Sequence, residues 1–309
     1  MITIKMQGRL GNQLFQYAFA RNLKEKYYPQ DEIYINFEHV YLEGKKEDGF
    51  DDSLKYFNIQ DYKTTDKLNI NVFQKLIFVL YLCVRKVLRA ISKCGNDSKK
   101  IEVPFFKVLN IFGIYCLSNG YCDFKKSIFK NKLLLGYFES DKYFEEISSI
   151  IKKEYTPKLP VCKDNLNLLN IINNTNSVCI TIRRGDFLDA ANMKAHYICT
   201  NEYFYKAVNI IREKVENPVF IVFSDDVEWV KQNMQFDGEV YYETGNDPIW
   251  EKLRLMSSCK HFVISNSTFS WWAQYLSTND NKVVIAPSRW NNKIKNKDIY
   301  QDNWTQIDV

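Results

Sequence analysis

The stretch Val178-Cys179-Ile180-Thr181-Ile182-Arg183-Arg184-Gly185-Asp186 decides the fold. Its first five residues are apolar or β-branched, the composition of a strand buried on both faces. The next four are charged or glycine, so the strand ends where the chain meets water. The same change recurs twice downstream. Val219–Phe223 runs into Ser224-Asp225-Asp226, and Phe262–Ser265 runs into Asn266-Ser267-Thr268-Phe269-Ser270-Trp271-Trp272. Val240–Tyr242 and Val283–Ala286 are further short strands by the same reading. Helical stretches are expected between them, at about 201–215, 226–234, 248–258 and 268–277. Asp247-Pro248 makes a cap and first-turn pair for the third. Strand and helix alternating at this spacing give a parallel sheet with helices on both faces. Such a sheet binds ligands beyond the carboxyl ends of its strands, so the three polar motifs are expected along one functional edge.

The upstream half reads less sharply. A strand at 2–6 leads through Gly8-Arg9-Leu10-Gly11 into a helix from about Asn12 to Tyr27, with Phe15, Phe19 and Leu23 on one face. A short strand is expected at 33–36, an irregular polar loop at 42–70, a strand at 133–138 and a helix at 141–153. Pro157 and Pro160 mark a linker. The division expected is 1–156 and 157–309, both α/β.

Composition excludes several classes. The 309 residues are 46% hydrophobic and 26% charged, which suits a folded soluble chain. Lys and Arg number 42 against 37 Asp and Glu, a net charge of +5 that is too weak and too dispersed for a nucleic-acid partner. It leaves room for a local polyanion site. Eight cysteines occur without a Cys-x-x-Cys pair and with three histidines, so they read as reduced core thiols rather than a zinc centre. Residues 1–6 are too short for the apolar core of a secretory signal, and a cytoplasmic chain is expected.

Residues 73–92 form a basic, apolar helix with two readings. Leu76, Ile77, Leu80, Val84, Val87, Leu88 and Ile91 make a broad apolar face, accompanied by Lys75, Arg85, Lys86 and Arg89. The helix is either a core element with a solvated basic edge or an interfacial helix on anionic lipid. The apolar run Leu76–Val84 is far short of the ~20 residues a membrane span needs.

Each polar motif has a chemical reading and a plainer one. Arg183 and Arg184 beside Gly185 suit a diphosphate, because guanidinium forks match phosphate oxygens. Otherwise they are a surface pair with Asp186 as partner. Asp225 or Asp226 can accept from a purine edge or ribose hydroxyls, or simply cap the following helix. Ser267 and Thr268 open a helix whose N–H groups suit phosphate, or serve only as its cap. Trp271 and Trp272 read as packing. The Gly8–Gly11 turn is neither a dinucleotide fingerprint nor a P-loop, but its glycines allow close backbone approach to a ligand. Asp-x-Asp, His-Glu-x-x-His and Gly-x-Ser-x-Gly are all missing.

In order and spacing the chain resembles the bacterial α-1,2-fucosyltransferases of glycosyltransferase family 11, over nearly its whole length. The resemblance is carried by Gly8-Arg9-Leu10-Gly11-Asn12-Gln13-Leu14-Phe15-Gln16-Tyr17-Ala18-Phe19, Gly136-Tyr137-Phe138-Glu139-Ser140, Ile182-Arg183-Arg184-Gly185-Asp186-Phe187, Phe223-Ser224-Asp225-Asp226 and Ser265–Trp272. Two positions depart from the family: Thr181 stands where a His is usual, and Phe187 where a Tyr is usual. The resemblance implies a GT-B fold, two Rossmann-like domains with parallel sheets facing a cleft. It implies GDP-β-L-fucose as donor on 157–309, a β-galactoside acceptor on 1–156 fucosylated at its 2-hydroxyl, inversion, and neither metal nor other cofactor. Arg183 and Arg184 then take the leaving-group charge. Asp186 and Glu139 are candidate bases, with Asp123 an outsider, and Glu139 is placed on the acceptor side. Arg9, Asn12, Asp225, Asp226, Asn266, Ser267, Thr268 and Phe269 are placed on the donor. The setting implied is surface-glycan synthesis, of O-antigen or capsule. The competing readings are another sugar nucleotide or linkage, and a carbohydrate-binding protein regulated by nucleotide without turnover.

Overall fold

A computed structural model describes residues 1–46, 49–59, 62–91, 99–185, 190–292 and 297–309. The chain divides into two compact units, Met1–Tyr155 with Asn296–Ile299, and Thr156–Lys295 with Tyr300–Val309. Both are α/β with a wholly parallel sheet, the expected fold class.

The first unit holds strands β1 (Ile2–Lys5), β2 (Ile33–Asn36), β3 (Lys63–Thr64), β4 (Ile114–Cys116) and β5 (Lys132–Leu135) in the order β3-β2-β1-β5-β4. Its helices are α1 (Leu10–Asn22), α2 (Glu38–Gly44), α3 (Val72–Ile91), α4 (Lys99–Ile111) and α5 (Ser148–Glu154). Helix α1 carries no charge before Arg21 and is buried on nearly all sides, as an all-round apolar helix must be. Its Phe19 ring packs on Phe124, Phe138 and Tyr143, with centroids 5.0, 4.8 and 4.4 Å away. Arg21 is buried too, and its Nε donates to Glu154 Oε1 at 2.9 Å.

Several elements differ from the sequence reading. The first helix stops at Asn22 and loosens into a wide turn over Leu23–Tyr27. The stretch 42–70 is not all loop, since it holds the end of α2 and the short edge strand β3. Strand β5 ends at Leu135 because Gly136 takes φ +139° and Phe138 φ +53°. Residues 141–147 form tight turns before α5 begins. Strand β4 and helix α4 were not foreseen. Pro104 inside α4 reads as a helix breaker.

Helix α3 corrects the core-helix reading. It buries Gln74, Phe78 and Tyr81, while Leu76, Leu80, Val87 and Ile91 of the supposed core face are exposed. The basic edge is solvated at Lys75, Lys86 and Arg89, but Arg85 and Arg89 have a partner. Both reach the buried carboxylate of Glu102 on α4, at 3.2 and 3.1 Å. Glu102 also accepts from the Ser118 N–H at 2.7 Å and from its hydroxyl at 2.8 Å. Among the described residues no helix is long and apolar enough to cross a membrane.

The second unit holds β6 (Asn176–Ile182), β7 (Pro218–Ser224), β8 (Glu239–Tyr242), β9 (His261–Val263), β10 (Val284–Pro287) and β11 (Thr305–Ile307). Its helices are α6 (Leu166–Asn174), α7 (Ala190–His196), α8 (Asn201–Lys214), α9 (Val227–Asn233), α10 (Ile249–Ser258) and α11 (Thr268–Leu276). The strand order is β11-β10-β9-β6-β7-β8. The chain winds outward from β6 through β7 to β8, then returns to β9 on the other flank of β6. The order therefore reverses between β6 and β9, the point where such sheets bind ligands. Val178, Ile180, Phe220, Val222 and Val263 pack against Phe204, Ala207 and Ile211 of α8. Five of the seven described cysteines are buried thiols, as expected, but Cys83 is exposed on α3 and Cys162 is half-buried.

Candidate active site

The register of the second sheet brings the three polar motifs together. Ile182 pairs with Ser224, so Arg183 follows β6 where Asp225 follows β7. Ile180 pairs with Val263 on the other side, and the line extends to Ser265, whose N–H donates to Thr181 Oγ1 at 3.1 Å. Thr181 is thus a buried stitch between β6 and the chain leaving β9.

Asp225 is the hub of this edge. One carboxylate oxygen meets Arg183 Nη1 at 3.2 Å, and the other accepts the Arg184 backbone N–H at 2.8 Å. Gly185 lies against it, for a Cβ there would sit 3.1 Å from Asp225 Oδ2. The Arg184 guanidinium carbon stands 3.1 Å above the ring centre of Trp229, with Asp226 Oδ2 3.6 Å from its Nε. Cation–π stacking fixes the plane of a guanidinium more firmly than one exposed carboxylate can. Asp226 caps α9, accepting the Trp229 N–H at 3.3 Å. The carboxylates assigned to donor binding therefore hold the arginines and a helix end.

Asn266 is committed in the same way. Its amide donates to the carbonyls of His196 at 3.0 Å and Trp290 at 3.1 Å, and its oxygen lies 3.5 Å from Cys199 Sγ. It anchors the turn that presents Ser267, the cap residue of α11. Thr268 and Phe269 are half-buried in the first turn of α11, which carries no acidic residue. A helix start of this kind favours an anion. Trp271 and Trp272 are fully buried packing residues. Asp186 lies outside the described residues.

In the first unit the order reverses between β1 and β5. The pairing of Ile4 with Leu134 brings the loop after β1 beside Gly136–Ser140. Gln16 locks Gln7, accepting its N–H at 3.1 Å and donating to its carbonyl at 2.7 Å. Gln13 donates to the carbonyls of Gly8 at 3.1 Å and Asp51 at 2.7 Å. Gly8 takes φ +73° with Asn12 folded over it, and Arg9 stacks on Phe50 at 4.8 Å. Glu139 is half-buried beside Tyr137, whose hydroxyl is pushed up to about 12, chiefly by burial and also by the negative charge of Glu139.

A cavity of about 590 Å³ opens at the carboxyl ends of β2 and β3, lined by Asn36, Glu38, Tyr41, Lys45, Thr65 and Asp66 among others.

Sequence reasoning quoted Gln13 and Gln16 without giving them a role, and missed Trp229 and Arg289, which is exposed just past β10 on the same edge as Arg183. Only the place of Arg289 after an apolar strand signals it. Nothing in sequence spacing pairs Trp229 with Arg184. Among the described residues no group of three or more His, Cys, Asp or Glu is arranged so that it could hold a metal ion.

Comparison with known proteins gives this geometry a context. The sequence profile of the family described as Glycosyl transferase family 11 matches residues 1–308. The Alpha-1,2-colitosyltransferase of Escherichia coli is 27% identical over 319 residues, covering 100% of this chain and 99% of that protein. The O-antigen biosynthesis glycosyltransferase WbnK of Escherichia coli is 28% identical over 323 residues, covering 98% and 99%. The Galactoside alpha-(1,2)-fucosyltransferase 1 of Lagothrix lagotricha is 26% identical over 175 residues, covering 53% of this chain and 47% of that protein. With a match that spans both units and all five motifs, the chain belongs to glycosyl transferase family 11.

Proposed function

We propose that the chain transfers L-fucose from GDP-β-L-fucose to the 2-hydroxyl of a β-galactoside, with inversion and without a metal or other cofactor, in surface-glycan synthesis. The observation that carries this reading is the arginine pair at the end of β6, aimed by Asp225 and Trp229, on the same sheet edge as the start of α11 that follows the adjacent β9. The names of the relatives support it: an α-1,2 linkage in one, O-antigen synthesis in another, fucose on a galactoside in the third.

The acceptor oxygen attacks the anomeric carbon while the bond to the β-phosphate breaks and GDP leaves with the electron pair. The β-linked donor becomes an α-linked product. Negative charge grows on the β-phosphate oxygens, and a fixed cation there is worth more in the transition state than in the ground state. Arg184 is the better prepared of the pair, since its plane is set before the donor arrives. Arg183, turned by Asp225, adds a second fork. The hydroxyls of Ser267 and Thr268, with the N–H groups of the first turn of α11, complete the phosphate contacts. Asp225, Asp226 and Asn266 act on the donor through the groups they position. Phe269 stands on the donor side, and Arg9 and Asn12 are assigned to the donor as well. Glu139 and the cavity at β2 and β3 hold the acceptor. The acceptor proton leaves to Asp186 or Glu139, or late in the reaction to water.

A second donor is favoured by one finding. One relative that spans this chain end to end is named for colitose, which is fucose without its 3-hydroxyl. Turnover of GDP-fucose and GDP-colitose with a β-galactoside, in excess EDTA, tests both points. GDP release and a new glycoside in EDTA are expected, with fucose the better donor. Donor binding without GDP release means a carbohydrate-binding protein. Activity lost in EDTA and restored by magnesium or manganese overturns the metal-free step.

A further inference from the structure

Helix α3 turns an apolar stripe outward along its full length. Val72, Leu76, Leu80 and Ile91 are 86, 66, 63 and 74% exposed, and Phe73, Val79 and Val87 are exposed with them. Steps of three and four residues place them on one face. The roll of the helix is fixed from the other side. Gln74 donates to the carbonyls of Phe112 at 2.7 Å and Asn131 at 2.8 Å, and Phe78 and Tyr81 sit in the unit's core. The stripe is therefore held outward, not a core face awaiting rotation. It is extended by neighbours, for the Phe73 ring packs on those of Phe112 and Phe129, and the adjacent Ile111 and Ile128 are exposed. Contiguous exposed apolar surface of this kind marks an interaction site.

Charge identifies the occupant. Residues 72–91 contain no Asp or Glu, and Lys75 and Lys86 are exposed beside the stripe. In 99–111 the one acid, Glu102, is buried under Arg85 and Arg89. Residues 124–131 hold the exposed Lys125, Lys126 and Lys130 and no acid. A second copy of the chain would set these cations against each other. An anionic lipid surface satisfies both the apolar stripe and its basic border.

We propose that α3 lies in the plane of an anionic bilayer surface. Leu76, Leu80, Val87 and Ile91 enter the acyl boundary, and Lys75 and Lys86 meet the headgroup phosphates. The contact is peripheral and salt-sensitive.

The test is flotation of the full chain with vesicles of phosphatidylglycerol and phosphatidylcholine, against phosphatidylcholine alone, at low and high salt. The wild type is expected to float with the anionic vesicles at low salt and to lose most binding at high salt. Leu76→Glu with Leu80→Glu is expected to abolish flotation. Lys75→Gln with Lys86→Gln is expected to weaken it about tenfold or more. Arg85 and Arg89 stay in place because they neutralise Glu102. All four changed side chains are exposed, so unchanged thermal unfolding is expected. Turnover of a soluble acceptor is expected unchanged in the Leu76→Glu/Leu80→Glu variant, which separates lipid binding from transfer. Three results overturn the proposal: no flotation with anionic vesicles, flotation indifferent to Leu76→Glu/Leu80→Glu, or a dimer of the wild type that this variant dissolves.

Discussion

Arg184→Ala is expected to lower turnover by ~10²–10³, the loss typical when one fixed donor to a developing oxyanion is removed. Arg183→Ala is expected to fall in the same range. The loss should appear mainly in kcat, with a smaller change in GDP-fucose affinity, because the β-phosphate gains its additional negative charge only as the bond breaks. Lysine is not expected to restore Arg184. An ammonium has no plane to lie on Trp229 at 3.1 Å and cannot fork onto two phosphate oxygens. Steady-state kinetics with thermal unfolding of each variant checks this. Near-normal kcat in both well-folded alanine variants would remove the arginine pair from the chemistry.

Gly136→Ala should damage the first unit rather than the reaction. A Cβ at this position would sit 1.8 Å from the Leu117 carbonyl oxygen, and the residue takes φ +139°. The obstacle is backbone, so no side chain can swing aside. Moving it breaks the run in which Leu117 N–H donates to Leu135 at 3.1 Å and Tyr137 N–H to Ser118 at 3.4 Å. A loss of about 4 kcal/mol is expected, at the severe end for a single substitution, with a fall in Tm of ~10 °C. Gly185→Ala makes the useful contrast. Its Cβ would meet only the Asp225 carboxylate, at 3.1 Å, and a side chain can shift. Stability near that of the wild type with reduced turnover is expected there. If Gly136→Ala melts with the wild type, the close approach of β4 and β5 is misdrawn.

What the sequence discloses depends on where the information lies. Strands β6, β7 and β9 are buried on both faces, so each reads as a mainly apolar run ending at charged or polar residues. Their parallel pairing then carries three motifs to one edge without any further information. The first unit lacks such contrast. Strand β3 is two exposed residues at a sheet edge, β4 is three residues long, and α4 carries a proline. Helix α6 is rich in asparagine, a poor helix former, and is held by packing instead. At the site, residue type placed the arginines correctly beside a strand end. It did not reveal what each polar group faces. Asp225 and Asp226 have the chemistry to bind a purine, but the structure turns them to Arg183, Arg184 and the start of α9. Those partners come from adjacent strands, and spacing along one strand does not encode them. For α3, periodicity located the helix but not its roll. The side chain of Gln74, polar and central to a buried contact, settles which face is inward.

The linkage of the product tests the central claim most directly. The full-length chain is incubated with GDP-β-L-fucose and a β-galactoside, and the product is analysed by two-dimensional NMR. The account predicts an α-anomeric fucose whose anomeric proton correlates with carbon 2 of galactose, with one GDP released per linkage formed. Fucose on another hydroxyl, a β-anomeric product, or GDP-fucose consumed only by hydrolysis would contradict it.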